Sequence, residues 1–113
     1  MAYAHATELP ALGEATPVRV EVDGVPVCLV RTGERVRAIH DVCSHQRWSL
    51  AAGEVVDGGV ECSLHGSTFD LDTGRPTSLP AVAPVPTYAV RVRDGAVEVD
   101  VSTATNGVPA PQH

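Results

Sequence analysis

Apolar and polar residues alternate with a period of two over much of the chain, and that alternation is the mark of half-buried strands. Val18-Arg19-Val20-Glu21-Val22 is the clearest case, and Asp23-Gly24 after it is a two-residue hairpin turn. Val25 to Val30 returns as a second strand of this hairpin. Thr32-Gly33-Glu34 turns the chain again, and Val36, Ala38 and Ile39 carry a further strand up to His40. Tyr3 to Ala6 is expected as a short opening strand, followed by turn residues from Glu8 to Gly13. Gly53 to Glu61 reads as two very short strands around Asp57-Gly58-Gly59, and Phe69 to Arg75 as a short strand and a turn. Tyr88 to Arg93, Asp94-Gly95 and Val97 to Val101 form a closing hairpin. No stretch demands a long helix, so the fold class is all-β and antiparallel.

The length of 113 residues suits one domain with a modest core. Hydrophobic residues make up 43% and aromatics only 4%, so Val, Ala, Leu and Ile must fill that core, which again favours strands. Pro76, Pro80, Pro84 and Pro86 exclude the segment between them from a central strand, because proline has no N–H for the ladder. Ser102 to His113 is small, polar and proline-containing, and is expected as a disordered tail.

Net charge is −6, with fourteen acids, eight bases and no Lys. No basic run exists to neutralise phosphates, which argues against nucleic acid as a partner. An acidic surface suits a partner with a basic face. No apolar run approaches a membrane span, and the N-terminal residues lack the features of a signal peptide, so a cytoplasmic protein is expected.

Against this background two short motifs stand out. Cys43-Ser44-His45 and Cys62-Ser63-Leu64-His65 are separated by sixteen residues and supply one thiol and one imidazole each. Two sulfur and two nitrogen donors suit either zinc or an iron-sulfur centre. Two-Cys, two-His zinc fingers group like ligands together, with the histidines on a helix. The mixed order here, with no helix following, suits a binuclear cluster in which two cysteines hold one iron and two histidines the other.

The order Cys-x-His, sixteen residues, Cys-x-x-His resembles the Rieske family, and the likeness continues through Gly66-Ser67-Thr68-Phe69-Asp70 and the proline segment 76–86. It spans roughly residues 3 to 101. The resemblance implies an antiparallel β-sandwich with a small cluster-binding subdomain at about 41–80, carrying two ligand loops and a proline-rich loop, within a domain of residues 1–102. It implies a [2Fe-2S] cluster held by Cys43, His45, Cys62 and His65, with Ser67, Gly66 and Trp48 around it. Trp48 and Leu64 stand where the respiratory members carry an extra disulfide, so the chain resembles the low-potential branch. Ser67 is present where that branch often lacks a hydroxyl, and Phe69 replaces a Tyr.

Among soluble members the chain resembles the ferredoxins of ring-hydroxylating oxygenases. That implies a monomeric one-electron carrier between a flavin-containing reductase and a terminal non-haem iron oxygenase, and not an enzyme in itself. A role in iron-sulfur cluster assembly, a nitrite reductase small subunit and a structural zinc module remain alternatives at this stage. Two ferric ions, two sulfides and two thiolates sum to zero charge with neutral imidazoles. Reduction then reaches only −1, so two histidines lift the potential above that of a four-Cys cluster.

The remaining candidates have plainer readings. Cys28, inside a strand, is expected as a small core residue. His5, His40 and His113 lack the spacing of a second metal site, and no two-His, one-carboxylate set for a mononuclear iron is found. Gly66 is expected to permit a tight turn, Trp48 to shield the centre, and Gln46 and Arg47 to lie on a solvated rim. Asp70 and Arg75 could pair to hold the second loop.

Overall fold

A computed structural model describes residues 3–43, 48–63, 66–77 and 83–109. The strands among them are β1 Ala4–Glu8, β2 Val18–Val22, β3 Val25–Thr32, β4 Arg35–His40, β5 Glu54–Val56, β6 Gly59–Glu61, β7 Thr68–Asp70, β8 Thr87–Arg93 and β9 Ala96–Asp100. The described residues hold two short 3-10 turns, Leu9–Ala11 and Leu50–Ala52, and none of their helices is long and apolar enough to cross a membrane.

Six strands pair in the order β1-β9-β8-β4-β3-β2, and β5-β6-β7 make a second, smaller sheet. All these pairings are antiparallel. The β4–β8 seam is only two pairs long, Ala38 with Tyr88 and Ile39 with Thr87. The large sheet therefore folds at that seam into two three-stranded layers, and β1 comes back against β2. Between the layers lie Val22, Val27, Leu29, Ala38, Tyr88, Val97 and Val99.

The Asp-Gly pairs behave as their chemistry demands. Asp23, Asp57 and Asp94 all have φ near +50°, each followed by a glycine near +80°, and each joins two strands through a two-residue loop. Asp tolerates the left-handed region better than most side chains, and the turn's twist matches that of the strands.

β3 breaks the alternation seen in β2. Val27, Cys28, Leu29 and Val30 are all fully buried. Val27 and Leu29 face the sandwich core, whereas Cys28 and Val30 belong with Ile39 to a second cluster containing Leu50, Val60, Phe69, Leu71 and Val85. A strand covered on both faces has no polar side, hence the unbroken apolar run. Complete burial of Phe69 alone is worth about 2–3 kcal/mol relative to exposure. Arg35 and Arg37 on β4 both reach Asp72, at 2.6 and 3.1 Å, and tie the turn after β7 to the large sheet.

The C-terminal segment corrects one expectation. Residues 102–109 do not trail away: Thr105 N–H donates to Thr87 O at 2.7 Å, and Asn106 bonds to Thr73, Val85 and Thr87. Residues 110–113 lie outside the described part.

Candidate metal centre

The first loop leaves β4 through Asp41, whose carboxylate is fully buried. It accepts from Arg19 Nη1 at 2.7 Å, Ser49 Oγ at 2.5 Å and the Ala51 N–H at 2.8 Å. Arg19 can reach it because it sits opposite Cys28 on β2, on the polar side of that alternating strand. A desolvated carboxylate is tolerable only with such a set of donors, and here they draw the start of the loop, its end and β2 together. Backbone bonds complete the closure: Cys43 N–H to Trp48 O at 2.9 Å and Leu50 N–H to Asp41 O at 2.6 Å.

The second loop is closed in the same manner. Cys62 N–H donates to Ser67 O at 2.7 Å, five residues ahead, as Cys43 does to Trp48. Gly66 N–H returns to Cys62 O at 2.8 Å with φ of +78°, a conformation that explains glycine at this position. Ser67 is fully buried. The loops are joined where Trp48 Nε1 donates to Ser63 Oγ at 2.8 Å. Trp48 is 42% exposed, so it clasps the two loops at the surface and does not fill the core.

Cys43 and Cys62 enter the same buried cluster, and neither is in a disulfide. Cys28 belongs to that cluster too, as expected of a core residue. Burial, and secondarily the negative charge of Asp41, pushes its thiol above the ordinary range. A thiol desolvated in this way resists becoming the thiolate that a metal ligand must be. His45 and His65 lie outside the described residues, as do Gln46, Arg47 and Leu64. Among the described residues no group of three metal-ligating side chains gathers.

His5 and His40 are engaged elsewhere. His5 contacts Glu8 at 2.6 Å, and His40 Nδ1 lies 3.0 Å from Tyr88 Oη, whose pKa burial pushes up to about 12. Asp70 accepts from the backbone N–H groups of Asp72 and Thr73 and meets Arg75 through the main chain, so the expected side-chain pair gives way to a turn cap.

The proline segment is anchored at both ends. Thr77 N–H donates to Thr68 O at 2.7 Å, Val85 N–H to Gly74 O at 2.8 Å, and His40 N–H to Pro86 O at 2.8 Å. Residues 78–82, with Pro80, are outside the described part.

Asp41, Asn106 and the Trp48–Ser63 clasp are the features missed by sequence reading. Their partners are remote in sequence, and nothing local marks them.

Two buried thiols, one per loop, each at a position closed by its own backbone bonds, fit the sulfur side of a metal cluster. Residues 1–89 match the family model described as the Rieske [2Fe-2S] domain. The chain is 45% identical over 76 residues to the anthranilate 1,2-dioxygenase ferredoxin subunit of Burkholderia cepacia, covering 67% of this chain and 70% of that one. Its fold is similar to the ferredoxin of carbazole 1,9a-dioxygenase from Nocardioides aromaticivorans IC177, with a TM-score of 0.84, 37% identity, and coverage of 88% and 97%. It is also similar to a chain in the complex of reduced oxygenase and oxidized ferredoxin in carbazole 1,9a-dioxygenase, with a TM-score of 0.80, 31% identity, and coverage of 86% and 91%.

Proposed function

Because the chain belongs to the Rieske [2Fe-2S] domain family, we propose that it is a one-electron carrier between a flavin-dependent reductase and a terminal non-haem iron oxygenase. A Rieske-type [2Fe-2S] cluster is its cofactor. In this reading Cys43 and Cys62 hold one iron, and His45 and His65 the other. The observation that carries it is the pair of buried thiols, each on a loop closed five residues ahead and each followed by a histidine.

The cluster, when bound, supplies a one-electron couple between a neutral and a singly negative state. The chain's own residues hold that chemistry in place. Asp41 fixes the first loop, Gly66 turns the second, and Trp48 clasps the pair and covers the centre from one side. The partners are those implied by relatives named as ferredoxin subunits and by a related fold in a complex with an oxygenase. The protein acts as a cytoplasmic monomer that leaves the organic substrate to the oxygenase.

Protein purified without oxygen is expected to be red-brown, with iron and acid-labile sulfide in equal amounts and a rhombic electron-spin signal only after reduction. The reduced protein should be reoxidised by an oxygenase of this class, and a flavoprotein reductase should reduce it. A colourless protein holding zinc, or one that exchanges electrons with neither partner, overturns the proposal.

Ser67 offers a finer test. A hydroxyl that donates toward the centre favours the more negative reduced state, so Ser67→Ala should lower the potential. One neutral hydrogen bond of about 1 kcal/mol corresponds to about 40 mV for one electron. Protein-film voltammetry reads this directly, and an unchanged potential removes Ser67 from the role.

A further inference from the structure

Asn106 lies beyond the residues matched by the family model, in a segment whose composition predicts no structure. Its side chain is nevertheless saturated with partners. Nδ2 donates to Thr73 O and Val85 O, both at 2.9 Å. Oδ1 accepts from the N–H groups of Thr87 and Val108, both at 3.2 Å. Two donors and two acceptor contacts use the full capacity of a primary amide. Asp would lose both donations, and Gln would be one methylene too long.

The partners lie on either side of the proline segment. Thr73 precedes it, Val85 and Thr87 follow it, and Val85 N–H closes the gap onto Gly74 O at 2.8 Å. Gly74 has φ of +72°, and a Cβ there would lie 2.1 Å from Val85 O and 2.8 Å from Asn106 Nδ2, so the crossing admits only glycine. Thr105 adds a backbone bond to Thr87 O and a hydroxyl contact with Thr87 Oγ1 at 2.5 Å. Val85 itself is fully buried in the cluster that contains Cys43 and Cys62.

We infer that Asn106 is a positioning residue for the cofactor pocket: the C-terminal strap 104–108 holds Val85 in the buried cluster that contains the two cysteines by clamping both ends of the proline segment. The inference rests on the proposed cluster site. Its physical content is control of water. With the clamp gone, the wall carrying Val85 opens more often, and water reaches the centre. Water solvates the extra negative charge of the reduced state, so the potential rises, and it admits chelators, so the cluster is lost faster.

The test compares cluster-loaded wild type, Asn106→Ala and Arg91→Ala. The last removes an ion pair from β8 to Glu98 on β9 and a contact over the ring of Tyr3, just before β1, and serves as a control for general loosening. Bleaching of the visible absorption by an iron chelator should be at least about tenfold faster in Asn106→Ala, which loses all four side-chain hydrogen bonds, three of them to the ends of the proline segment. Its potential should rise. Arg91→Ala should match wild type in both. Bleaching and potential equal to wild type in Asn106→Ala, or equal changes in Arg91→Ala, overturn the inference.

Should Asn106→Ala not fold, Asn106→Ser is read by the same criteria. Amide exchange in the unsubstituted protein gives a further readout: Val85 and Thr87 N–H should be protected, and free exchange at both means that the strap does not hold. Wild type without iron and sulfide would instead refute the cluster proposal, which the exchange measurement does not touch.

Discussion

Cys62→Ser is expected to yield a colourless protein with iron and sulfide near zero, while Cys28→Ala keeps both. The contrast is informative because both thiols are fully buried in one apolar cluster, so burial alone does not distinguish ligand from filler. Their surroundings do. Cys62 opens a loop closed by the Ser67 and Gly66 bonds, with a histidine three residues on. Cys28 sits mid-strand between Arg19 and Ile39, with its thiol pushed above the ordinary range by burial and, less, by Asp41. Alanine at 28 leaves a small void without burying an unpartnered hydroxyl, a cost of about 1 kcal/mol. Cys62→Ser removes the thiolate and with it the folding energy of the bound centre. Metal analysis and visible spectra of the two variants check this, and colour in Cys62→Ser or its loss in Cys28→Ala reverses the assignment.

Asp41→Ala should cost about 3 kcal/mol of stability, or roughly 15 °C in the thermal midpoint. Asp41 is fully buried and accepts from Arg19, Ser49 and Ala51. Arg19 is half-exposed and recovers water when its partner goes, so the ion pair itself is the lesser part. The greater part is the Ala51 N–H and the Ser49 hydroxyl left without their acceptor in a part-buried loop. Asp41→Asn keeps one carbonyl oxygen and should fall between. Circular dichroism melts of the cluster-loaded proteins measure the order, and an Asp41→Ala midpoint within a few degrees of wild type would show that the first loop closes without it.

Much of this architecture was readable from short-range rules. The Asp-Gly pairs at 23, 57 and 94 predicted hairpins that the structure forms with two-residue loops, because the turn depends on φ preferences of two residues alone. The alternation in β2 and the prolines beyond β7 were equally local. Strand ends were less so: β3 runs on to Thr32, which pairs with Arg35, since its length depends on how far the partner strand accompanies it. Of the candidate site, the cysteines were marked by spacing. Asp41 was not, because an acid beside a turn reads the same whether solvated or buried until Arg19, twenty-two residues earlier, is placed beside it. Residues 102–109 have the composition of a disordered tail, and only the crossing of Gly74 under Val85 provides the groove that orders Asn106.

By itself, then, the sequence determined the strands, the hairpin turns, the two Cys and His pairs and the family to which they point. These follow from residue type and spacing over a few positions. The tertiary structure decided which faces of β3 are covered, that Cys28 shares one buried cluster with Cys43 and Cys62, that Trp48 lies at the surface as a clasp, and that Asp41 and Asn106 brace the loops and the proline segment. Those properties are sums over neighbours brought together from distant parts of the chain: burial sets the cost of a charge, and a hydrogen bond exists only where both partners arrive.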